Sequence, residues 1–111
     1  MVEKVYTFIQ TDEKTIERIV DDEHSNINHV VLGGGEALPE HYSNSNVYLL
    51  VVRGVLSGRF DDQEEKEFPG GNIVHLPYNT KMNIRNAQEM LVDFFIFKAP
   101  HPSFFEDQKR D

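Results

Sequence analysis

Cysteine is absent from the 111 residues of this chain. The absence excludes a disulfide, a thiolate nucleophile and a cysteine-ligated metal ion. Any metal site therefore has to be assembled from histidine, aspartate and glutamate side chains. Five histidines are present, so composition alone leaves such a site open.

Long hydrophobic runs are also missing. The longest run, Val47–Val52, has six residues, whereas a transmembrane helix needs about 20. The first residues carry charge and lack the apolar stretch of a signal peptide. We therefore expect a cytoplasmic protein that has no membrane partner.

Positive charge is scarce in the chain. Lysine and arginine together number 11, against 19 aspartates and glutamates, which gives a formal net charge of −8. Such a chain repels the phosphates of nucleic acids and the headgroups of anionic lipids, so nucleic acid is not an expected partner. With 39% hydrophobic residues at this length, the composition predicts one folded domain.

The N-terminal region has the pattern of a helix. Thr11 suits an N-cap, acidic residues follow it in the first turn, and Ile16, Ile19 and Val20 recur at helical spacing. The sequence therefore predicts a short N-terminal helix within a strand or helix extension over residues 1–26.

Short apolar runs separated by turn residues fill the middle of the chain. This pattern is typical of an all-β sandwich or barrel. Several runs are apolar on both faces, which predicts one face against the barrel interior and the other against a second sheet or a subunit. The acidic segment 61–67 is expected to be a solvated hairpin tip. The predicted strands are Ile27–Leu32, Val47–Val52, Val55–Phe60, Ile73–Leu76, Met82–Asn86 and Leu91–Phe97.

The C-terminal region differs from the strands before it. The segment 100–102 reads Pro-His-Pro, which cannot continue a central strand. Ser103 and Glu106 then match a capping box, so a short helix is expected, with Phe104 and Phe105 as candidate anchors. Residues 98–111 are therefore predicted to be a tail outside the barrel.

Two segments of the chain share a spacing of glycine, proline, asparagine and histidine residues. They read Gly35-x5-His41-x-Ser43-x3-Val47-x6-Gly54 and Gly71-x5-Pro77-x-Asn79-x2-Met82-x3-Asn86. This spacing resembles the two motifs of the cupin family, and six of the ten signature positions carry the family's residue. The resemblance implies a small single-domain cupin, whose fold is a double-stranded β-helix or jelly-roll barrel over residues 27–97. Small cupins are usually homodimers, so the resemblance also implies a homodimer.

The resemblance indicates where a metal would bind. Cupins place three histidines and a glutamate at the positions that hold His41, Ser43, Val47 and Met82 in this chain. Valine has no lone pair, and the methionine thioether suits hard divalent ions poorly. His41 alone would be a ligand, so we predict a degenerate metal site and no cofactor.

Metal-free binding of a small molecule in the barrel lumen is the function that requires the fewest specialised side chains from this sequence. Amide, hydroxyl and ammonium groups at the lumen mouth suit an uncharged polar or anionic molecule. Met82 would give the lumen an apolar and adaptable floor. The candidate ligand-binding residues are His41, Ser43, Tyr48, His75, Lys81 and Met82.

Two alternatives are open, so the residues do not decide whether the protein is an enzyme. A metal-free isomerase, epimerase or lyase would use His41 as its base. A metal-dependent cupin enzyme would need an atypical ligand set, in which His29, His75 or Asp93 joins His41.

Overall fold

Short runs of apolar and β-branched residues form nine strands and one helix in the computed structural model, which describes residues 2–108. All strand pairs are antiparallel. The elements are β1 (Thr15–Asp21), β2 (Asn26–Leu32), β3 (His41–Tyr42), β4 (Val47–Arg53), β5 (Val55–Phe60), β6 (Lys66–Pro69), β7 (Ile73–Leu76), β8 (Lys81–Arg85), β9 (Val92–Lys98) and α1 (Ser103–Gln108). They build a five-stranded sheet in the order β1-β2-β9-β4-β7 and a four-stranded sheet in the order β3-β8-β5-β6. The predicted all-β class is confirmed.

Inward-facing side chains of the two sheets fill the space between them. In β4, Val47, Leu49 and Val51 are buried, whereas Tyr48 and Val52 on the other face are exposed. This is the period of two expected of a strand with one covered face. Among the residues that the structure describes, the outer face of β4 is therefore only partly covered, with Leu50 half-buried between Tyr48 and Val52. The buried core also contains Val30, Leu32, Leu56, Leu76, Met82, Ile84, Val92 and Phe94.

Left-handed backbone at the motif positions gives a physical reason for their spacing. Gly35, Gly54 and Gly71 have φ angles of 80°, 80° and 95°, which side-chain-bearing residues rarely adopt. Asn79 stands where the motif has a glycine, and its φ is 68°. Asparagine tolerates this conformation better than other non-glycine residues, so the turn survives the replacement as expected.

The predicted N-terminal helix is wrong, because this segment contains strand β1 instead. β1 pairs with β2, and its register shifts between Arg18 and Val20. The irregularity breaks strict alternation, so the apolar residues fall by coincidence at helical spacing. The hydroxyl of Thr11 does accept a backbone N–H, that of Glu13 at 3.1 Å, but this bond closes a local turn and starts no helix.

Six predicted strands match observed ones to within one residue at each end. The two short strands β3 and β6 were not predicted, because two and four residues are too few to show an alternating pattern. The acidic segment lies at the tip of the β5–β6 hairpin, which confirms that prediction, although β6 already starts at Lys66.

The predicted C-terminal helix is confirmed as α1. Phe105 anchors it by stacking on Tyr78, with the ring centroids 4.2 Å apart, whereas Phe104 is half exposed and packs edge-on against Phe105. In residues 2–108 the structure contains no helix with the length and hydropathy needed to cross a membrane.

Candidate functional site

Of the four positions at which the cupin motifs place metal ligands, His41 alone carries a histidine or a carboxylate in this chain. Val47 and Met82 are buried in the core. The hydroxyl of buried Ser43 donates to the Pro77 carbonyl at 2.7 Å and accepts a backbone N–H at 2.8 Å. Its donor and its acceptor are therefore both engaged by the loop between β7 and β8. His41 supplies one nitrogen where three or four ligands are needed. Across residues 2–108, no three histidine, aspartate or glutamate side chains are grouped so that they could hold a metal ion.

His41 lies exposed at the edge of the barrel, in β3 and across from Met82 of β8. Its Nδ1 is 2.9 Å from the Pro39 carbonyl oxygen. Because a carbonyl accepts only, this hydrogen bond assigns the proton to Nδ1 and leaves the lone pair on Nε2. Among the described residues this carbonyl is the ring's polar partner, and no carboxylate orients the imidazole as a base.

Tyr48 points away from the barrel lumen in which it was expected, and His75 lies beside it and borders the cavity described below. They are cross-strand neighbours in the β4–β7 pair, and their rings stack with centroids 4.6 Å apart. Strand alternation explains the placement, because Val47 and Leu49 take the inward-facing positions on either side of Tyr48.

Lys81 is already partnered at the barrel mouth. Its Nζ lies 3.5 Å from a carboxylate oxygen of Glu40, and its backbone N–H donates to Asp61 at 2.9 Å. The ammonium charge that was expected to attract an anionic ligand is therefore offset by a carboxylate of this chain.

A cavity of about 400 Å³ opens at the mouth of the barrel, and we call it the mouth cavity. Apolar side chains of β5, β6 and β7 form its floor, and its rim is formed by residues of the β5–β6 and β7–β8 connections together with one residue each of β6 and β7. The floor comprises Phe60, Phe68, Val74 and Leu76, and the rim comprises Asp61, Gln63, Glu64, Lys66, His75, Pro77 and Thr80.

Strand pairing places the mouth cavity beside the motif positions. Phe60 lies directly across from Met82 in the β5–β8 pair, and Leu76 lies across from Val47 in the β4–β7 pair. Side chains that are paired in this way share a face of their sheet. The cavity is therefore at the end of the barrel where a cupin would bind its metal, but above the buried side chains and not among them.

The phenylalanines of the cavity floor were not among the predicted site residues. Phe60 ends a predicted strand just before the acidic turn, and Phe68 follows that turn. Two aromatic residues that flank a hairpin tip can meet across it, and their ring centroids are 6.1 Å apart. This flanking pattern was the signal that could have identified them.

His29 and Asp93, the residues considered as replacement metal ligands, lie on the outer face of the five-stranded sheet. His29 is fully buried, with Nδ1 at 2.8 Å from Glu17 Oε2 and Nε2 at 2.7 Å from Asp93 Oδ1. The two carboxylates flank opposite edges of the ring, so the three side chains cannot converge on one ion. The other oxygen of Asp93 accepts from Arg53 Nε at 3.1 Å, which extends the chain of charges.

These contacts shift the acid–base equilibria of the surrounding groups. The hydrogen bond from His29 is the main cause that holds the pKa of Glu17 below its ordinary value. Arg53 lies between Asp12 and Asp93, whose hydrogen bonds raise the pKa of its guanidinium. Both shifts favour the charged forms of Glu17 and Arg53.

Asp21, His101 and Ser103 form a hydrogen-bonded chain with the residue types of a hydrolase triad. His101 Nε2 is 2.6 Å from Asp21, and its Nδ1 is 3.0 Å from the Ser103 hydroxyl and accepts the Ser103 backbone N–H at 3.1 Å. The next three backbone N–H groups of α1 donate to carbonyls of the same turn, so they are not available as oxyanion donors. The cluster therefore caps the helix and joins it to β1.

Comparison with known proteins gives one strong relationship and several distant ones. No family model matches the chain. An uncharacterised protein of Methanocaldococcus jannaschii is 47% identical over 104 residues, which cover 92% of this chain and 89% of the relative. The crystal structure of an RmlC-like cupin family protein with a double-stranded β-helix fold from that organism superposes with a TM-score of 0.92 and 44% identity, over 96% of this chain and 98% of the other.

The fold is also shared with a protein of much lower sequence identity. A cupin superfamily protein from Desulfitobacterium hafniense superposes with a TM-score of 0.71 at 13% identity, over 85% of this chain and 84% of the other. At that identity the likeness concerns the fold alone. Together the superpositions confirm the double-stranded β-helix predicted from the motif spacing.

Proposed function

The chain belongs to the RmlC-like cupin family, and from that premise we propose that it is a metal-free module that binds a small molecule in the mouth cavity. The carrying observation is the cavity itself, which has an apolar floor, a polar rim and a volume of about 400 Å³. Small-molecule sites in proteins have this construction and this range of volumes.

The lining indicates the chemical class of the ligand. The rings of Phe60 and Phe68 offer apolar surface to a compact hydrocarbon or aromatic group. The rim carries both signs of charge, on Asp61, Glu64 and Lys66, so it does not select a strong anion or cation. The proposed ligand is a neutral, mainly apolar molecule with one or two hydrogen-bonding groups.

Binding without a metal follows from the residues beneath the cavity. Met82 and Val47 occupy two of the family's ligand positions as buried core residues. An isomerase that uses His41 as its base would need that residue beside the ligand, and His41 does not line the mouth cavity. Binding in the mouth cavity does not need a base beside the ligand, whereas catalysis by His41 does.

We further propose that the protein is a homodimer, formed through the outer face of the five-stranded sheet. Tyr48, Val52 and Ile73 are apolar residues of this face, and Ile73 is 66% exposed. A sheet face that stays in water normally carries polar residues. Sedimentation equilibrium should give twice the 12.9 kDa chain mass, and Ile73→Glu should return the mass to that of one chain.

A titration with phenol tests the binding proposal. In proton–nitrogen correlation NMR spectra, saturable shifts should appear at residues around the cavity and should be lost in Lys66→Trp, which fills its rim. Met90→Trp adds the same side chain at an exposed position away from the cavity and should retain the response. A response that is absent, or that survives Lys66→Trp, would contradict the proposal. The reporting residues are Phe60, Phe68, Val74, Leu76 and Thr80.

A further inference from the structure

Residues 2–12, which we call the N-terminal arm, have no strand or helix, and residues 8–12 contact the outer face of the five-stranded sheet, with Phe8 43% exposed. Phe8 packs edge-on against His29 and Phe95, with ring centroids 5.1 and 4.9 Å away. Hydrogen bonds on either side of this contact hold the arm at two points, and we call each of these points a tie. The Ile9 N–H donates to Glu17 Oε2 at 2.9 Å. At the other side, a guanidinium of β4 binds the last two residues of the arm.

That guanidinium belongs to Arg53. Its Nη1 donates to the Asp12 carboxylate at 2.8 Å, and its Nη2 donates to the Thr11 carbonyl. Its Nε is held by Asp93. The second tie therefore depends on Asp93, just as the first depends on Glu17.

Buried His29 connects these two carboxylates. Its Nδ1 faces the same Glu17 oxygen that accepts from Ile9, at 2.8 Å, and its Nε2 faces Asp93 at 2.7 Å. The side chain of His29 is 0% exposed, so water does not replace either partner. Both ties of the arm are thus the ends of one hydrogen-bonded chain centred on this imidazole.

The protonation state of His29 decides whether both halves of the chain are attractive. A neutral imidazole has one N–H, so it donates to one carboxylate and turns a lone pair toward the other. The imidazolium donates to both. The charged groups that face the ring are Glu17 of β1 and Asp93 of β9 directly, and Arg53 of β4 and Asp12 of the arm through Asp93.

We propose that protonated His29 locks the N-terminal arm onto the sheet and that loss of this proton releases it. As the pH rises, one imidazole–carboxylate contact becomes repulsive, and the tie that this carboxylate supports weakens. The arm is then a pH-sensitive cover for the apolar face around Phe95. This proposal does not depend on the mouth cavity, and either one can fail alone.

The absence of tryptophan from the chain allows a direct test, because Phe8→Trp introduces a single fluorescent reporter of the arm's packing. Emission is followed from about pH 5 upward for as long as circular dichroism shows that the fold persists. Emission of Phe8→Trp should move to longer wavelength as the pH rises. Adding His29→Gln should give long-wavelength emission throughout, and adding His75→Gln, a histidine with no carboxylate partner, should leave the titration unchanged.

A second variant keeps the test decisive if His29→Gln fails to fold. Glu17→Gln removes one of the two carboxylates that stabilise the imidazolium, so the fluorescence midpoint should move to lower pH. The proposal is overturned if the parent emission does not change with pH while the fold persists. It is also overturned if Glu17→Gln leaves the midpoint in place, or if His75→Gln abolishes the change.

Discussion

Met82 lies directly across from Phe60 where β8 pairs with β5. Met82 occupies a position at which the family's motif has a histidine ligand, and Phe60 belongs to the floor of the mouth cavity. Cross-strand partners on one face have Cβ atoms about 5 Å apart. The position at which the motif has a metal ligand therefore lies under the apolar floor of the mouth cavity in this chain.

Removing the Met82 side chain should destabilise the fold. Met82→Ala empties volume in the buried core and should lower the free energy of unfolding by about 2–5 kcal/mol in urea titrations. Met90→Ala, at a position 79% exposed, should change it by less than about 0.5 kcal/mol. Equal effects of the two substitutions would contradict the placement of Met82 in the core.

The hydroxyl of Ser43 should contribute to stability, in contrast to another buried serine. Ser43→Ala leaves the Thr80 N–H without its acceptor and removes one of the two hydroxyls that donate to the Pro77 carbonyl, and should cost about 1–3 kcal/mol. The hydroxyl of Ser57 is buried without a hydrogen-bond partner among the residues that the structure describes, so Ser57→Ala should be neutral or slightly stabilising. Urea unfolding should show a larger loss in the free energy of unfolding for Ser43→Ala than for Ser57→Ala. An equal or smaller loss for Ser43→Ala would contradict a stabilising role of the Ser43 hydrogen bonds.

Acid should weaken the tie between β1 and α1. The hydrogen bond from His101 is the first cause that lowers the pKa of Asp21 in the folded protein. A lowered folded-state pKa stabilises the fold above the unfolded value of about 3.9, and this contribution is lost as the pH falls through the folded value. The thermal midpoint of the unmodified chain should exceed that of Asp21→Asn at neutral pH, and the gap should close below about pH 4. A gap that persists at lower pH would exclude this linkage.

Alanine and glycine at position 79 should differ in their effect on stability, because the backbone there is left-handed. Asn79→Ala places an alanine at φ 68° and should destabilise the protein by about 1–2 kcal/mol. Asn79→Gly restores the motif residue and should stay close to the unmodified chain. Thermal unfolding of the pair gives the comparison, and an alanine variant as stable as the glycine variant would show that the turn has relaxed.

Much of the fold could be predicted because backbone constraints repeat at fixed intervals. Gly35, Gly54 and Gly71 have positive φ, and they are three of the six motif matches through which the chain resembles the cupin barrel. The segment before β2 was predicted wrongly because a local irregularity between Arg18 and Val20 mimics helical periodicity.

The candidate site was harder to predict than the fold. Strand parity assigns Tyr48 to the outer face once its neighbours are known to be buried, but the sequence does not show which face of an apolar strand is covered. His29 and Asp93 are 64 positions apart, and only the β2–β9 pairing brings them together. Phe60 and Phe68 meet through β6, a strand too short to show a pattern.

A crystal structure of tag-free protein soaked with phenol, with anomalous scattering recorded, tests the central claim most directly. We expect phenol density in the mouth cavity, against Phe60 and Phe68, and no anomalous peak beside His41. A metal peak with His41 among its ligands, or a mouth cavity that stays closed to phenol, would contradict it.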